Sequence, residues 1–123
     1  MKYSNSTGIG ESRCQTPKDL LIRLNNIEIE FVRMELIFKK IQSVCPDVPD
    51  YWIRNMKKDS VNLWGHIVYG KKQITINRPS ILTVLHEYAH AVAYHHYKKK
   101  DDHHGLTFCR TLDWLISSFY KTT

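Results

Sequence analysis

Residues 86–90 read His86-Glu87-Tyr88-Ala89-His90, two histidines separated by a full helical turn with a carboxylate beside the first. On a helix each residue advances about 100°, so His86 and His90 lie about 40° apart on neighbouring turns. Both side chains then reach one point. Zinc takes imidazole nitrogen at ~2.0–2.1 Å, so one ion can join such a pair. Glu87 points about 100° away from His86. It stands beside the ion, where a carboxylate can take a proton from a metal-activated water. The neighbouring Leu82, Leu85, Ala89 and Ala93 are apolar. Two histidines and a glutamate in that setting are costly to bury without a use. The plainer alternative is a pair of partly buried histidines that hold no ion.

A catalytic zinc uses three protein ligands and keeps one position open. Four further histidines follow: His95, His96, His103 and His104. His96 has the spacing of the H-E-x-x-H-x-x-G-x-x-H pattern, but Ala93 occupies the place of the turning glycine. If the helix runs on, His96 points about 120° away from His90, and His95 points opposite to His86. These two are expected to face solvent beside Lys98, Lys99 and Lys100. No glutamate follows Glu87, and the later carboxylates are Asp101, Asp102 and Asp113. That leaves His103 or His104, at a junction where a charged connector gives way to a new helical pattern.

His86-Glu87-x-x-His90-Ala91, a connector, and then His104-Gly105-x-x-Phe108-Cys109-x-x-Leu112 resembles the core of the SprT-like (Spartan-type) metallopeptidases. The upstream Gly65, Tyr69, Ile74 and Asn77 resemble the strands that precede the motif there. The resemblance covers residues 60–116. It implies a zincin-like minimal domain with zinc on His86, His90 and His104 and Glu87 as general base. It also implies peptide-bond hydrolysis on proteins crosslinked to DNA, often in a DNA-dependent way. Two departures stand out. Leu106 occupies the usual proline position after His-Gly, and the chain has no cysteine pair of the kind that builds the zinc ribbon of many relatives.

The elements that must position these groups can be read from periodicity. Residues 1–16 are polar and aperiodic, the pattern of a flexible tail. Residues 17–123 are expected to form one domain. Leu20, Leu24, Ile27, Phe31, Met34, Phe38 and Ile41 draw a stripe of fours and threes, predicting one long helix from Pro17 to Val44. Leu21, Ile29, Val32 and Leu36 lie off it, as second core contacts or as a face for a partner. Tyr51–Arg54 reads as a short strand. Residues 61–69 and 72–77 read as a hairpin turned at Gly70-Lys71, with Gly65 interrupting the first strand. Asn77 and Ser80 are candidate caps, with Pro79 in the first turn, for a helix from Ser80 to Tyr97. Phe108, Leu112, Leu115 and Phe119 mark a last helix. The class is α+β with a small antiparallel sheet.

Composition bounds the partners. The 123 residues carry a net charge of +6. This favours acidic partners, nucleic acid above all, although lysines on solvated faces are the commoner meaning of such a balance. Cys14, Cys45 and Cys109 form no C-x-x-C pair, so a reducing compartment is expected. No apolar run approaches a membrane span, and the N-terminus lacks the apolar core of a secretion signal. A cytoplasmic location is therefore expected, or nucleoid or nuclear if the protein is DNA-associated. The leading expectation is a zinc endopeptidase acting on a protein substrate, which could add as a strand to a sheet edge. Tyr69, His66 and Arg78 are candidate donors to the oxyanion. Two alternatives stand beside it. One is a non-catalytic, metal-stabilised basic protein that binds nucleic acid or an acidic partner. The other is an ImmA/IrrE-like peptidase with one specific target.

Overall fold

The long helical pattern folds as two helices, α1 (Lys18–Asn26) and α2 (Phe31–Ser43), in the computed structural model, which describes residues 14–55, 65–77, 80–96 and 104–122. The expected single helix is corrected here. The spacing from Ile27 to Phe31 keeps the stripe in phase across residues 27–30, so periodicity alone cannot show the break. Tertiary contacts make it. Glu28 forms an isolated antiparallel bridge with Ser80, and the Ile81 amide donates to the Ile27 carbonyl at 3.3 Å. Those backbone groups serve another element, and Ile27 is extended.

Most of the stripe is interior. Leu24, Met34, Phe38 and Ile41 are buried, and so is Leu21 from off the stripe. Val32 and Leu36 stand exposed on the outer face of α2.

Three strands follow: β1 (Trp52–Asn55), β2 (Gly65–Val68) and β3 (Gln73–Ile76), in the spatial order β1-β3-β2. β2 and β3 are antiparallel, but β1 runs parallel to β3. The sheet is thus mixed, correcting the antiparallel expectation. Parallel register places Ile53 beside Ile74, and the antiparallel register places Ile67 there too. One apolar row results across three strands. The turn also differs from expectation. Val68 pairs with Gln73, so four residues lie between the strands. The Lys72 amide donates to the Tyr69 carbonyl at 3.1 Å, and the left-handed residue is Lys72 (φ 49°) rather than Gly70.

Two helices complete the order, α3 (Ile81–His96) and α4 (Leu106–Thr122). α3 is the centre of the molecule, packed against α4, α1, α2, β2 and β3. Every residue from Leu82 to Ala91 is buried, as expected of a helix covered on all sides. The Tyr88 ring meets Phe38 edge-on at 5.2 Å between centroids, tying α2 to this central helix. Phe108, Leu112 and Leu115 carry the apolar face of α4 into the same core.

The expected tail is anchored at its end. Asp113 on α4 accepts from the Gln15 amide at 2.7 Å and the Thr16 amide at 2.9 Å. Residues 1–13 lie outside the described residues. Among the described residues no helix is long and apolar enough to cross a membrane.

Candidate metal centre

The start of α3 is fixed by a polar knot. The Thr83 amide donates to Ser80 Oγ at 3.1 Å, so Ser80 is the cap. The two hydroxyls lie 2.8 Å apart, and Ser80 Oγ donates to Asn25 Oδ1 at 3.4 Å. The end of α1 thereby seats the helix that carries the motif. Of the other start signals, Pro79 lies outside the described residues, as does Arg78, a candidate donor to the oxyanion.

From this start, His86 and His90 fall one turn apart on the side of α3 that meets α4. Both are buried. His104 comes to them from the residues before α4. Its Nε2 lies 3.0 Å from His86 Nε2 and 3.2 Å from His90 Nε2. Its backbone is left-handed (φ 75°), a conformation that non-glycine residues seldom adopt and that histidine tolerates better than most. One residue later, Gly105 accepts the Cys109 amide at 3.0 Å and α4 begins. The sharp turn at His104 and the immediate helix start hold the imidazole against α3.

These three side chains offer donor atoms within 4.8 Å of one another, an arrangement that could hold a metal ion. The fit can be tested on the distances. Bonds of ~2.0–2.1 Å at the tetrahedral angle separate imidazole nitrogens by about 3.3–3.4 Å. The observed 3.0 and 3.2 Å lie close to that value. Neutral imidazole is the commonest protein metal ligand, so the donor type fits as well. Among the described residues the group has three members and no fourth ligand. His103, the other candidate, lies outside the described residues, as do Asp101 and Asp102.

Phe108 forms one wall. Its ring lies 4.9 Å from His86, 4.4 Å from His90 and 4.9 Å from His104 between centroids. It excludes water on that side, and it arrives on the first turn of the helix that starts beside His104. The signal for this was present in the sequence as the first member of the last apolar stripe.

Glu87 is buried at 6% exposure. Its Cγ lies against β2 at Gly65. A Cβ there would sit 3.2 Å from Glu87 Cγ, and 3.0 Å from both the Thr75 carbonyl oxygen and Thr83 Cγ2. Only glycine lets the strand come this close to the helix. The interruption of the strand pattern at Gly65 therefore marks the place where backbone packs on the carboxylate's stem.

The remaining candidates separate. Since Gly65 faces α3, alternation turns His66 to the other face of the sheet, away from the ligand helix. Its Nδ1 is buried, with no hydrogen-bond partner among the described residues. Tyr69 stacks on Tyr94, with centroids 3.9 Å apart and planes at 9°. Tyr94 lies one turn beyond His90 on nearly the same face of α3. His95 departs in part from expectation, because it is half-buried rather than fully exposed and its Nε2 is 2.6 Å from the hydroxyl of buried Tyr51. His96 is exposed as expected. Tyr97 and Lys98–Lys100 lie outside the described residues.

Comparison of the chain with protein-family models, with curated proteins and with solved structures finds no match.

Proposed function

We propose that this chain is a zinc-dependent endopeptidase of the SprT-like kind, with zinc held by His86, His90 and His104 and with Glu87 as general base. The observation that carries the reading is the convergence of three imidazole nitrogens, two of them from consecutive turns of one buried helix. Three imidazole ligands are the number that a catalytic zinc centre uses. A buried glutamate next to the first ligand also speaks for catalysis, since a purely structural site has no need of a base.

When bound, zinc supplies Lewis-acid polarisation of the scissile carbonyl and lowers the pKa of a water toward ~7. Glu87 takes the proton of the attacking water on its carboxylate and returns it to the leaving amine. Burial keeps that carboxylate in place, with its stem seated against β2 at Gly65. Phe108 shields the imidazoles from water on one side. Tyr69 and Tyr94 stack beside the ligand face, where the substrate chain would pass. The net charge of +6 makes DNA-associated proteins the substrate class this reading favours.

The test is hydrolysis of a generic unfolded protein by zinc-loaded enzyme, with and without single-stranded DNA. Glu87→Gln should abolish turnover while leaving metal content unchanged. Turnover equal to wild type in that variant would contradict the proposed mechanism. Hydrolysis indifferent to DNA and confined to one protein would favour the ImmA/IrrE-like alternative.

A further inference from the structure

The sheet has a second face that the metal centre does not use. Gly65 packs on α3, and its register partners carry Ile67, Ile74 and Ile53 to the same side. Alternation then places Trp52 and Arg54 on the opposite, outer face. Gln73 and Thr75 of β3 share that face but are buried, so its open part is β1 at the sheet edge. Trp52 is 52% exposed, and Arg54 is exposed beside it. Among the described residues Trp52 stacks on no other ring and Arg54 forms no ion pair. The Trp52 amide donates to the Lys72 carbonyl at 3.0 Å. That bond brings the turn after β2, with exposed Lys71 and Lys72, against the same end of β1.

The charge here has one sign. Residues 51–55 and 65–77 include Arg54, Lys71 and Lys72 and contain no aspartate or glutamate. Asp50 precedes the strand, and its charge acts on the hydroxyl of buried Tyr88, on the inner side of the sheet. Three exposed cations with no carboxylate between them select a polyanion. The tryptophan narrows the choice further. An acidic peptide carries no planar group in each repeat, and a duplex keeps its bases stacked on one another. Single-stranded nucleic acid offers an anion and an open ring face in every nucleotide, and proteins bind it by combining cations with aromatic stacking. Trp52 and Arg54 are two strand residues apart, about 6.7 Å. That is close to the length of one extended nucleotide, so a base on the indole leaves its neighbouring phosphate near the guanidinium.

We propose that the outer face of β1, with the turn at Lys71-Lys72, binds single-stranded nucleic acid, one base stacking on Trp52 and the phosphates meeting Arg54, Lys71 and Lys72. The site lies across the sheet from α3, so a strand bound there leaves the histidines open, and the proposal does not depend on hydrolysis. The probe is a fluorescein-labelled oligothymidylate titrated with the full-length protein and followed by anisotropy over a series of salt concentrations. Binding should saturate and weaken as salt rises. Trp52→Ala should weaken it by about tenfold, the loss of one stacked base. Arg54→Ala should weaken it and reduce the slope of log affinity against log salt by about 0.7, the loss of one phosphate contact on a single strand. Trp114→Ala, which removes the other exposed tryptophan among the described residues, should bind as wild type does. An oligouridylate in parallel shows whether the preferred strand is DNA or RNA. Wild-type affinity in Trp52→Ala would overturn the proposal. So would tighter binding of a duplex of the same length, or competition by polyglutamate as strong as by unlabelled oligothymidylate. Glu87→Gln should bind the strand as wild type does, so failure of this site and failure of the proposed catalysis are distinguished.

Discussion

The two halves of α3 use the same residue type for different ends. In the buried half, His86 and His90 sit on consecutive turns and meet His104 from another segment. In the last turn, His95 donates to or accepts from the single hydroxyl of Tyr51, and its neighbour His96 stands exposed. All four lie on one helix. What separates them is phase and partner. A turn of spacing toward an incoming imidazole can make an ion site, whereas neighbouring positions point about 100° apart and cannot share one. The density of histidines around residues 86–96 is therefore a poor guide to the candidate metal centre, and their angular positions are a better one.

The widest separation between the halves should come from Glu87. Glu87→Gln should lower peptide hydrolysis by about 10²–10⁴-fold, the usual contribution of a positioned acid–base group, with metal content and melting temperature near wild type. His95→Ala should leave turnover within a few-fold of wild type. If the two variants behaved alike, the division of α3 would fail.

Gly65 sharpens the same contrast from the strand side. Gly65→Val places atoms 3.0 Å from the Thr75 carbonyl oxygen and 3.2 Å from Glu87 Cγ. Overpacking of that kind costs about 1–3 kcal/mol. The variant should melt earlier and turn over more slowly, with KM little changed, because the carboxylate moves and the ligands do not. A denaturation curve that matches wild type would show that β2 does not press on this helix as described.

Tyr51→Phe removes the hydroxyl that holds His95. The expected loss is about 1 kcal/mol for one hydrogen bond, read by denaturant unfolding, with no change in bound metal. The smallest effect is on pH. Burial pushes Tyr51 from 10.0 up to about 12 and Cys45 from 9.0 up to about 11, and it moves Tyr88 in the same direction. A pKa raised on folding favours the neutral form in the native state. The stability it contributes is therefore present below the unfolded value and is lost as pH climbs through the folded one. The melting temperature should fall between pH 9 and 12, and less steeply in Tyr51→Phe. A flat profile over that range would mean these groups are more hydrated than their burial implies.

The histidine cluster was more legible in the sequence than the frame around it. His86, Glu87 and His90 follow from spacing on one helix. Geometry reduced the third position to His103 or His104, the resemblance selected His104, and the described structure brings His104 to the pair. The break between α1 and α2 was hidden because Ile27 and Phe31 keep the helical phase and no proline or glycine lies between them. The cause is a bridge from Glu28 to Ser80, some fifty residues away in sequence. The parallel pairing of β1 was equally non-local, since four residues around Ile53 carry no signal of which neighbour they will join. Gly65 did leave a trace, as a glycine interrupting a strand, but only the packing of β2 on α3 shows what it admits.

The central claim is that His86, His90 and His104 hold one metal ion that His95 and His96 do not touch. Metal-to-protein stoichiometry by native mass spectrometry after zinc loading and extensive dialysis tests it most directly. Wild type, His95→Ala and His96→Ala should each retain one zinc, and His104→Ala should retain close to none. A full equivalent of zinc on His104→Ala, or its loss from His95→Ala, would contradict the account.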